Sequence, residues 1–243
     1  MKVQSQSGLG DLIFALPLIY DISQREEVHI ASNHPYVLDK ATSWGDFAVH
    51  PVEIGTDGFP IIKDGFTHLR YDRYGTHYFE RYYTPYGKLP LEDAIKEVRK
   101  TYMIGRDRKI AGPYAVYAPP RAANRHRYKI ESERWSCTPN PYGAEEIIET
   151  YQMPIVLVGK NDEYYPDQYF PERSIDLRDQ LNFEQLSDMI ANAYCVISQI
   201  SAITALAGLF AIKTNFLKAS AETEDQHDRN IQSIIWPNQE RLK

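Results

Sequence analysis

The chain has 243 residues, 43% hydrophobic and 25% charged, a composition typical of a water-soluble globular protein with one or two domains. Its formal net charge of −6 argues against a surface that binds nucleic acid nonspecifically and leaves room only for a local basic groove. No apolar run approaches the roughly 20 residues of a membrane-spanning helix, and no secretory signal is recognisable. The two cysteines, Cys137 and Cys195, follow no metal-binding or redox spacing, so we expect a cytoplasmic protein.

Short apolar runs alternate with helical patterns along the chain. Strands are predicted at residues 3–5, 27–32, 48–54 and 68–71, and helices at 11–23 and 91–102. A Gly-Pro pair within residues 110–113 predicts a linker. Beyond it the alternation restarts, with strands at 114–118, 154–159, 175–177, 195–198 and 212–217 and helices at 142–151, 183–193 and 202–208. Such alternation favours parallel, doubly wound sheets, so we predict an α/β chain of two Rossmann-like domains, residues 1–112 and 113–243.

Between the first strand and the first helix lies the sequence SGLGDLIFALP, residues 7–17. Gly8 and Gly10 allow a sharp turn and a close approach of the backbone to a ligand, and the amides of the following helix attract anions. The third glycine of the dinucleotide fingerprint and the lysine of a phosphate-binding P-loop are both missing. Asp11 therefore has two interpretations: a carboxylate that satisfies the helix amides, or a group that acts on a substrate.

This opening motif resembles that of the heptosyltransferase-like glycosyltransferases, family nine, which adopt the GT-B fold. In the second half, PIVLVGKNDE (residues 154–163) and the stretch 175–209 resemble, in the same order, the segments that frame the donor pocket of that family. The resemblance implies two Rossmann-like domains with a cleft between them, a nucleotide-diphosphate sugar as donor substrate, and neither cofactor nor metal. It also assigns Asp11 as the general base that takes the proton of the acceptor hydroxyl.

The same resemblance implies a set of donor-binding residues. Backbone amides and cationic side chains would stabilise the leaving diphosphate, and the matching positions are Gly8, Gly10, Arg121, Arg125, Gly159, Glu163, Ser198, Ser201 and Ala202. The guanidinium group of arginine can donate two parallel hydrogen bonds to phosphate oxygens, and a glutamate can accept hydrogen bonds from a ribose or a base. The alternative interpretation is that Arg121, Arg125 and Glu163 lie in exposed loops without a role in binding. The chain departs from the family at Ile200, Ala202 and Ala205, where the family has an acidic residue, glycine and histidine.

Tyrosines outnumber phenylalanines 18 to 9, and six of them lie between residues 71 and 86, interleaved with arginines. Such a mixture stacks on sugar rings or bases and attracts anions. The resemblance places the acceptor on the first domain, so acceptor-binding residues are predicted at Arg73, Tyr74, Tyr78, Arg81 and Tyr82. Packing of these tyrosines between helices and sheet is the alternative. The acceptor would be a saccharide or a hydroxymethylated DNA base, the substrate of phage-type DNA-modifying glycosyltransferases.

The sequence thus predicts a glycosyltransferase that moves a sugar from a nucleotide-diphosphate sugar to an acceptor hydroxyl without a metal. A non-catalytic carbohydrate- or nucleotide-binding protein on the same fold is the alternative. The altered positions 200, 202 and 205 would suit that second interpretation, because each loses a side chain type that the family uses in its donor pocket.

Overall fold

The computed structural model describes residues 1–5, 8–53, 55, 61, 63–69, 79, 83–103, 110–119, 144–161, 169–218, 225, 228, 231–232, 234–237 and 239. The chain divides into two units, Met1–Gly105 and Arg106–Lys243, and each contains its own parallel sheet. The domain ranges 1–112 and 113–243 stay a prediction.

Within the part of the first unit that the structure describes there are four short strands: β1 (Lys2–Ser5), β2 (Val28–Ala31), β3 (Phe47–His50) and β4 (Thr67–Leu69). All neighbours are parallel, and the strand order is β3-β2-β1-β4. Helix α1 (Leu9–Ser23) follows β1, a 3₁₀ helix (Pro35–Ser43) follows β2, and helix α2 (Leu91–Tyr102) packs against α1. The strand order reverses beside β1, so the topological switch point, where such sheets bind ligands, lies between β1 and β4.

Helix α1 is buried along most of its length, with every residue from Leu12 to Ile19 inside the core. Asp21, the one buried acidic residue of α1, accepts hydrogen bonds from the amides of Lys88 (2.6 Å) and Leu89 (3.3 Å) and pairs with Arg25 at 3.2 Å. A buried charge needs such partners, because an uncompensated carboxylate is strongly unfavourable in the interior. Asp21 therefore fastens the turn that precedes α2 to the side of α1.

In the second unit the described residues form five parallel strands: β5 (Ala115–Ala118), β6 (Ile155–Leu157), β7 (Ser174–Asp176), β8 (Cys195–Ser198) and β9 (Lys213–Phe216). Their order is β7-β6-β5-β8-β9, which places the switch point of this sheet between β5 and β8. The helices are α3 (Ala144–Thr150), α4 (Phe183–Ala191) and α5 (Ala202–Leu209). One face of the sheet forms a core with α3 through Ala115, Tyr117, Ile148, Ile155, Leu157, Cys195 and Ile197.

Helix α5 is held at both ends by local hydrogen bonds. Ser201 caps its start, as described below, and Ala211 ends it in a left-handed conformation with φ of 56°. There the Ile212 amide donates to the Ala207 carbonyl (2.8 Å) and the Ala211 amide to the Gly208 carbonyl (3.0 Å), the bonding pattern of a Schellman motif. Glycine is the usual residue at the left-handed position, so alanine carries backbone strain here.

The C-terminal segment packs onto the same helix. Ile231, Ile234 and Trp236 are all buried, and the Gln239 side chain donates a hydrogen bond to Thr214 Oγ1 in β9 at 3.0 Å. A Cβ added at Gly208 would overlap the indole ring of Trp236. The indole thus lies against the backbone of α5, and Gly208 is required by this close approach.

The structure confirms the predicted α/β architecture of parallel sheets with helices. The predicted strand 48–54 is wrong in its length, because β3 ends at His50 and the next residue, Pro51, has no amide hydrogen for a ladder. The 3₁₀ helix Pro35–Ser43 was not predicted from the sequence, and helix α1 begins two residues earlier than expected, at Leu9.

Candidate active site

The first group of predicted site residues lies where β1 leads into α1. Gly8 is the N-cap of the helix, in an extended conformation (φ −85°, ψ 139°) and without a side-chain cap, and Gly10 is the second helical residue. Asp11 is the third helical residue and the one acidic residue of the first turn. Because α1 starts at the carboxyl end of β1, these residues lie at the ligand-binding edge of the first sheet.

The carboxylate of Asp11 folds back over Gly8. A Cβ built on Gly8 would stand 2.6 Å from Asp11 Oδ2, which is inside the contact distance of real Cβ atoms. A side chain at position 8 would therefore displace the carboxylate from this position, and the role of Gly8 in donor binding stays a prediction. The Asp11 residue is half-buried, and a negative charge in the first turn interacts favourably with the positive end of the helix dipole.

The second group lies at the switch point of the second sheet. Ser198 is the last residue of β8 and pairs with Ala118, the last residue of β5. Its side chain is buried, with Oγ 2.9 Å from the Gln199 carbonyl, to which it donates, and 3.2 Å from Ser201 Oγ. The predicted donor residues Ser198, Ser201 and Ala202 are thus consecutive parts of one strand-to-helix turn.

Ser201 is the N-cap of α5 and forms a capping box with Thr204. Ser201 Oγ accepts a hydrogen bond from the Ile203 amide at 3.2 Å, and the Ser201 amide donates to Thr204 Oγ1 at 2.9 Å. Ser201 is exposed and Ala202 is half-buried, so this turn reaches the protein surface. The sequence analysis missed Thr204; the signal was the Ser-x-x-Thr spacing, with threonine in the place where the capping box usually has Glu or Gln.

Gly159 follows β6, the other neighbour of β5, and has φ of 107°, a conformation that glycine alone adopts without strain. Its carbonyl accepts a hydrogen bond from the Asp179 amide at 2.8 Å. The Asp179 carboxylate in turn accepts one from the Asn161 amide at 2.6 Å and pairs with Lys160 at 3.1 Å. Asp179 fixes the loop that contains Gly159, and no sequence motif pointed to it.

The remaining predicted site residues lie outside the described part of the chain. These are the donor-side residues Arg121, Arg125 and Glu163 and the acceptor-side residues Arg73, Tyr74, Tyr78, Arg81 and Tyr82. Two aromatic residues next to that acceptor group are described, and both are buried: Phe79 contacts the Phe14 ring edge-on at 5.8 Å, and Tyr83 donates its hydroxyl to the Leu89 carbonyl at 2.9 Å. Tyr83 packs as a core residue, and its burial raises the pKa of its hydroxyl.

Among the residues that the structure describes, no three His, Cys, Asp or Glu side chains are grouped so as to hold a metal ion. Of the helices that these residues form, none combines the length and the apolarity needed to cross a lipid bilayer.

The fold matches several solved glycosyltransferase structures. The iron-containing dodecameric glycosyltransferase TibC from enterotoxigenic E. coli H10407 is 14% identical, over 88% of this chain and 56% of its own, with a TM-score of 0.54. The E. coli heptosyltransferase WaaC with ADP is 13% identical, over 99% of this chain and 92% of its own, with a TM-score of 0.52. The E. coli ADP-heptose lps heptosyltransferase II is 13% identical, over 99% and 89%, with a TM-score of 0.50. The chain spans little more than half the length of the TibC chain.

No protein-family model matches the sequence, and no curated protein matches it either. The likeness therefore lies in the arrangement of strands and helices, while the sequence identity is low. It shows the fold: the chain has the GT-B fold of the heptosyltransferase-like glycosyltransferases, and the predicted resemblance is confirmed at that level.

Proposed function

We propose that this protein is a nucleotide-sugar-dependent glycosyltransferase. In the reaction the acceptor oxygen forms a bond to the anomeric carbon of the donor sugar. The bond from that carbon to the nucleoside diphosphate breaks, and the diphosphate leaves with the electron pair. Asp11 takes the proton of the acceptor hydroxyl, because a neutral hydroxyl is a poor nucleophile without a base within hydrogen-bond reach.

One observation carries this proposal: each sheet has predicted site residues at its own topological switch point. Gly8 and Asp11 follow β1 in the first sheet, and Ser198, Ser201 and Ala202 follow β8 in the second. Switch points at carboxyl ends of parallel strands are where α/β folds bind ligands. The heptosyltransferase WaaC, which has the same fold, was solved with ADP, a nucleoside diphosphate of the kind that this reaction would release.

The donor side would bind the diphosphate by hydrogen bonds and positive charge. The α5 turn offers the Ser201 hydroxyl and backbone amides at a helix start, where phosphate binds favourably. Arg121 and Arg125 would add guanidinium groups that stabilise the charge developing on the leaving diphosphate, and Gly159 and Glu163 would contact the nucleoside. With these groups we expect the reaction to need no added metal, so that a chelator should leave turnover unchanged.

For the acceptor we favour a saccharide hydroxyl over a hydroxymethylated DNA base. The net charge of −6 opposes the approach of a DNA duplex, whose binding depends on neutralising many phosphates. The arginine and tyrosine residues between 71 and 86 remain the argument for DNA, since a base flipped out of the helix needs only a local groove.

The test begins with a panel of ADP-, GDP-, UDP- and dTDP-sugars in a thermal-shift assay, because a ligand that binds the folded state raises the melting temperature. Each stabilising donor is then incubated with the protein, and release of free nucleoside diphosphate is measured with and without a chelator. An enzyme should release it slowly even without acceptor, whereas a non-catalytic binding protein should bind the donor and release none. Labelled sugar retained on hydroxymethylated duplex DNA, and on no saccharide, would identify the DNA-modifying activity instead.

A further inference from the structure

An aromatic pair lies at the same edge of the first sheet as Asp11. Tyr36 is in the first turn of the 3₁₀ helix that follows β2, and β2 is paired with β1 in parallel. The carboxyl ends of neighbouring parallel strands lie about 4.8 Å apart at one edge of a sheet. Helix α1 and the 3₁₀ helix also pack against each other, as right-handed crossovers on one face require. The first turns of the two helices therefore follow neighbouring strands at the same edge of the sheet.

The pair is held in one conformation by its own hydrogen bonds. His34 Nδ1 and the Tyr36 hydroxyl are 2.9 Å apart, and the two rings meet edge to face at 5.7 Å. The His34 amide donates to the buried Ser32 Oγ at 3.0 Å, and Pro35 fixes the backbone between the two rings. Although it is fixed in this way, Tyr36 is 44% exposed. A rigid, exposed aromatic residue at the ligand-binding edge of a sheet is a typical binding element, because little entropy is lost when a ligand docks.

We propose that Tyr36, oriented by His34, is a platform for a sugar ring of the acceptor. This inference rests on the proposed transfer to a saccharide, since it names a residue on the acceptor side of the same site. Tyrosine suits the task because its ring offers an apolar face to the C–H groups of a pyranose and its hydroxyl bonds to polar neighbours. Acceptor binding by stacking on Tyr36 would present a sugar hydroxyl to the first turn of α1, where Asp11 lies.

The experiment measures sugar binding separately from donor cleavage. Saturation-transfer NMR is recorded with a mixture of the methyl pyranosides of glucose, galactose and mannose, on wild type, Tyr36→Ala, Tyr36→Phe and Tyr194→Ala. Tyr194 is the matched control, because it is 50% exposed but precedes β8, at the opposite edge of a sheet from the carboxyl ends. Melting temperatures of all variants establish that each one is folded.

We expect Tyr36→Ala to lose saturation transfer by about tenfold, the effect of removing one aromatic contact. Tyr36→Phe keeps the ring and should keep most of the signal, and Tyr194→Ala should match wild type. Equal signals in Tyr36→Ala and wild type would overturn the inference, and so would the absence of any saturation transfer from the wild-type protein to the sugars.

Donor cleavage without acceptor distinguishes this inference from the proposed function. Tyr36→Ala should release nucleoside diphosphate from the stabilising donor at the wild-type rate, because Tyr36 is assigned to the acceptor. If wild type cleaves no donor but binds sugar through Tyr36, the proposed transfer fails and the sugar platform stands. If wild type cleaves donor and Tyr36→Ala binds sugar normally, the platform fails and the transferase stands.

Discussion

The two sheets carry different chemistry at their switch points. The first has one carboxylate, Asp11, folded over a residue that has no side chain. The second has three hydroxyl residues, Ser198, Ser201 and Thr204, that are bonded to one another and to the backbone. A carboxylate can take a proton, whereas these hydroxyls hold in place a helix start whose backbone amides attract an anion. Changes in the first group should therefore lower turnover, and changes in the second should weaken donor binding.

The largest effect is expected for Asp11→Asn, which keeps the size of the side chain and removes the base. Turnover should fall by about 10²- to 10⁴-fold, the usual contribution of general-base catalysis, while donor affinity measured by calorimetry stays nearly unchanged. The control is Asp93→Asn, because Asp93 is likewise the third residue of its helix, α2, and is exposed. Full turnover in Asp11→Asn would remove Asp11 as the base.

Gly8→Ala tests whether the carboxylate must lie over the N-cap. The new Cβ would stand 2.6 Å from Asp11 Oδ2 and displace the carboxylate. We expect turnover to fall by about 10²-fold with donor affinity unchanged, because a small displacement of a catalytic group has an effect of this size.

A separate variant, Gly159→Ala, gives the contrast. A Cβ at position 159 meets open space, but the φ of 107° is unfavourable for alanine. Gly159→Ala should cost about 1–3 kcal/mol of stability, measured by urea unfolding, and weaken donor binding. If Gly8→Ala weakened donor binding and Gly159→Ala lowered turnover with donor binding unchanged, the assignment of the first site to the base and of the second to the donor would be reversed.

Thr204→Val probes the second group with a side chain of the same shape. It removes the acceptor of the Ser201 amide, so the cap loosens and the unfolding free energy should fall by about 1 kcal/mol. Donor affinity should fall with it, because the α5 turn is assigned to the diphosphate. Asn182→Ala is the control: it removes the cap of α4 at a similar cost in stability and should leave donor affinity alone. Equal losses of affinity in both variants would mean that the α5 turn has no special part in donor binding.

The smallest effect is expected for Ala211→Gly, at the far end of α5 from Ser201. The left-handed conformation of Ala211 is unfavourable for alanine and free of strain for glycine, so stability should rise by about 0.5–1 kcal/mol. Donor affinity and turnover should match wild type, since the change leaves the start of the helix untouched. A lower melting temperature would show that the Schellman geometry at this position is wrong.

Strand–helix alternation was enough to predict both parallel sheets, because buried strands such as β6 and the helices between them have distinct periodicities. The motif residues at 8, 11, 198 and 201 could be placed at strand ends for the same reason. What the sequence could not reveal were contacts between residues that only the fold brings together. Asp179 reaches the Gly159 loop from the turn that follows β7, and Asp21 binds amides of residues 88 and 89. The 3₁₀ helix at 35–43 was missed because only three of its nine residues, Val37, Leu38 and Ala41, are buried, which is a weak apolar signal.

The indole of Trp236 lies on the backbone of α5, the helix that begins at Ser201, which gives the second unit its own optical probe. A shift of this helix when a nucleotide docks would alter the ring's surroundings and hence its emission. Trp44 belongs to the first unit, where it contacts Tyr20, Phe47 and Tyr102 instead. Replacing Trp44 and Trp135 with phenylalanine would leave Trp236 as the single tryptophan. A stopped-flow fluorescence trace of that protein would then measure the rate of nucleotide binding without an added label.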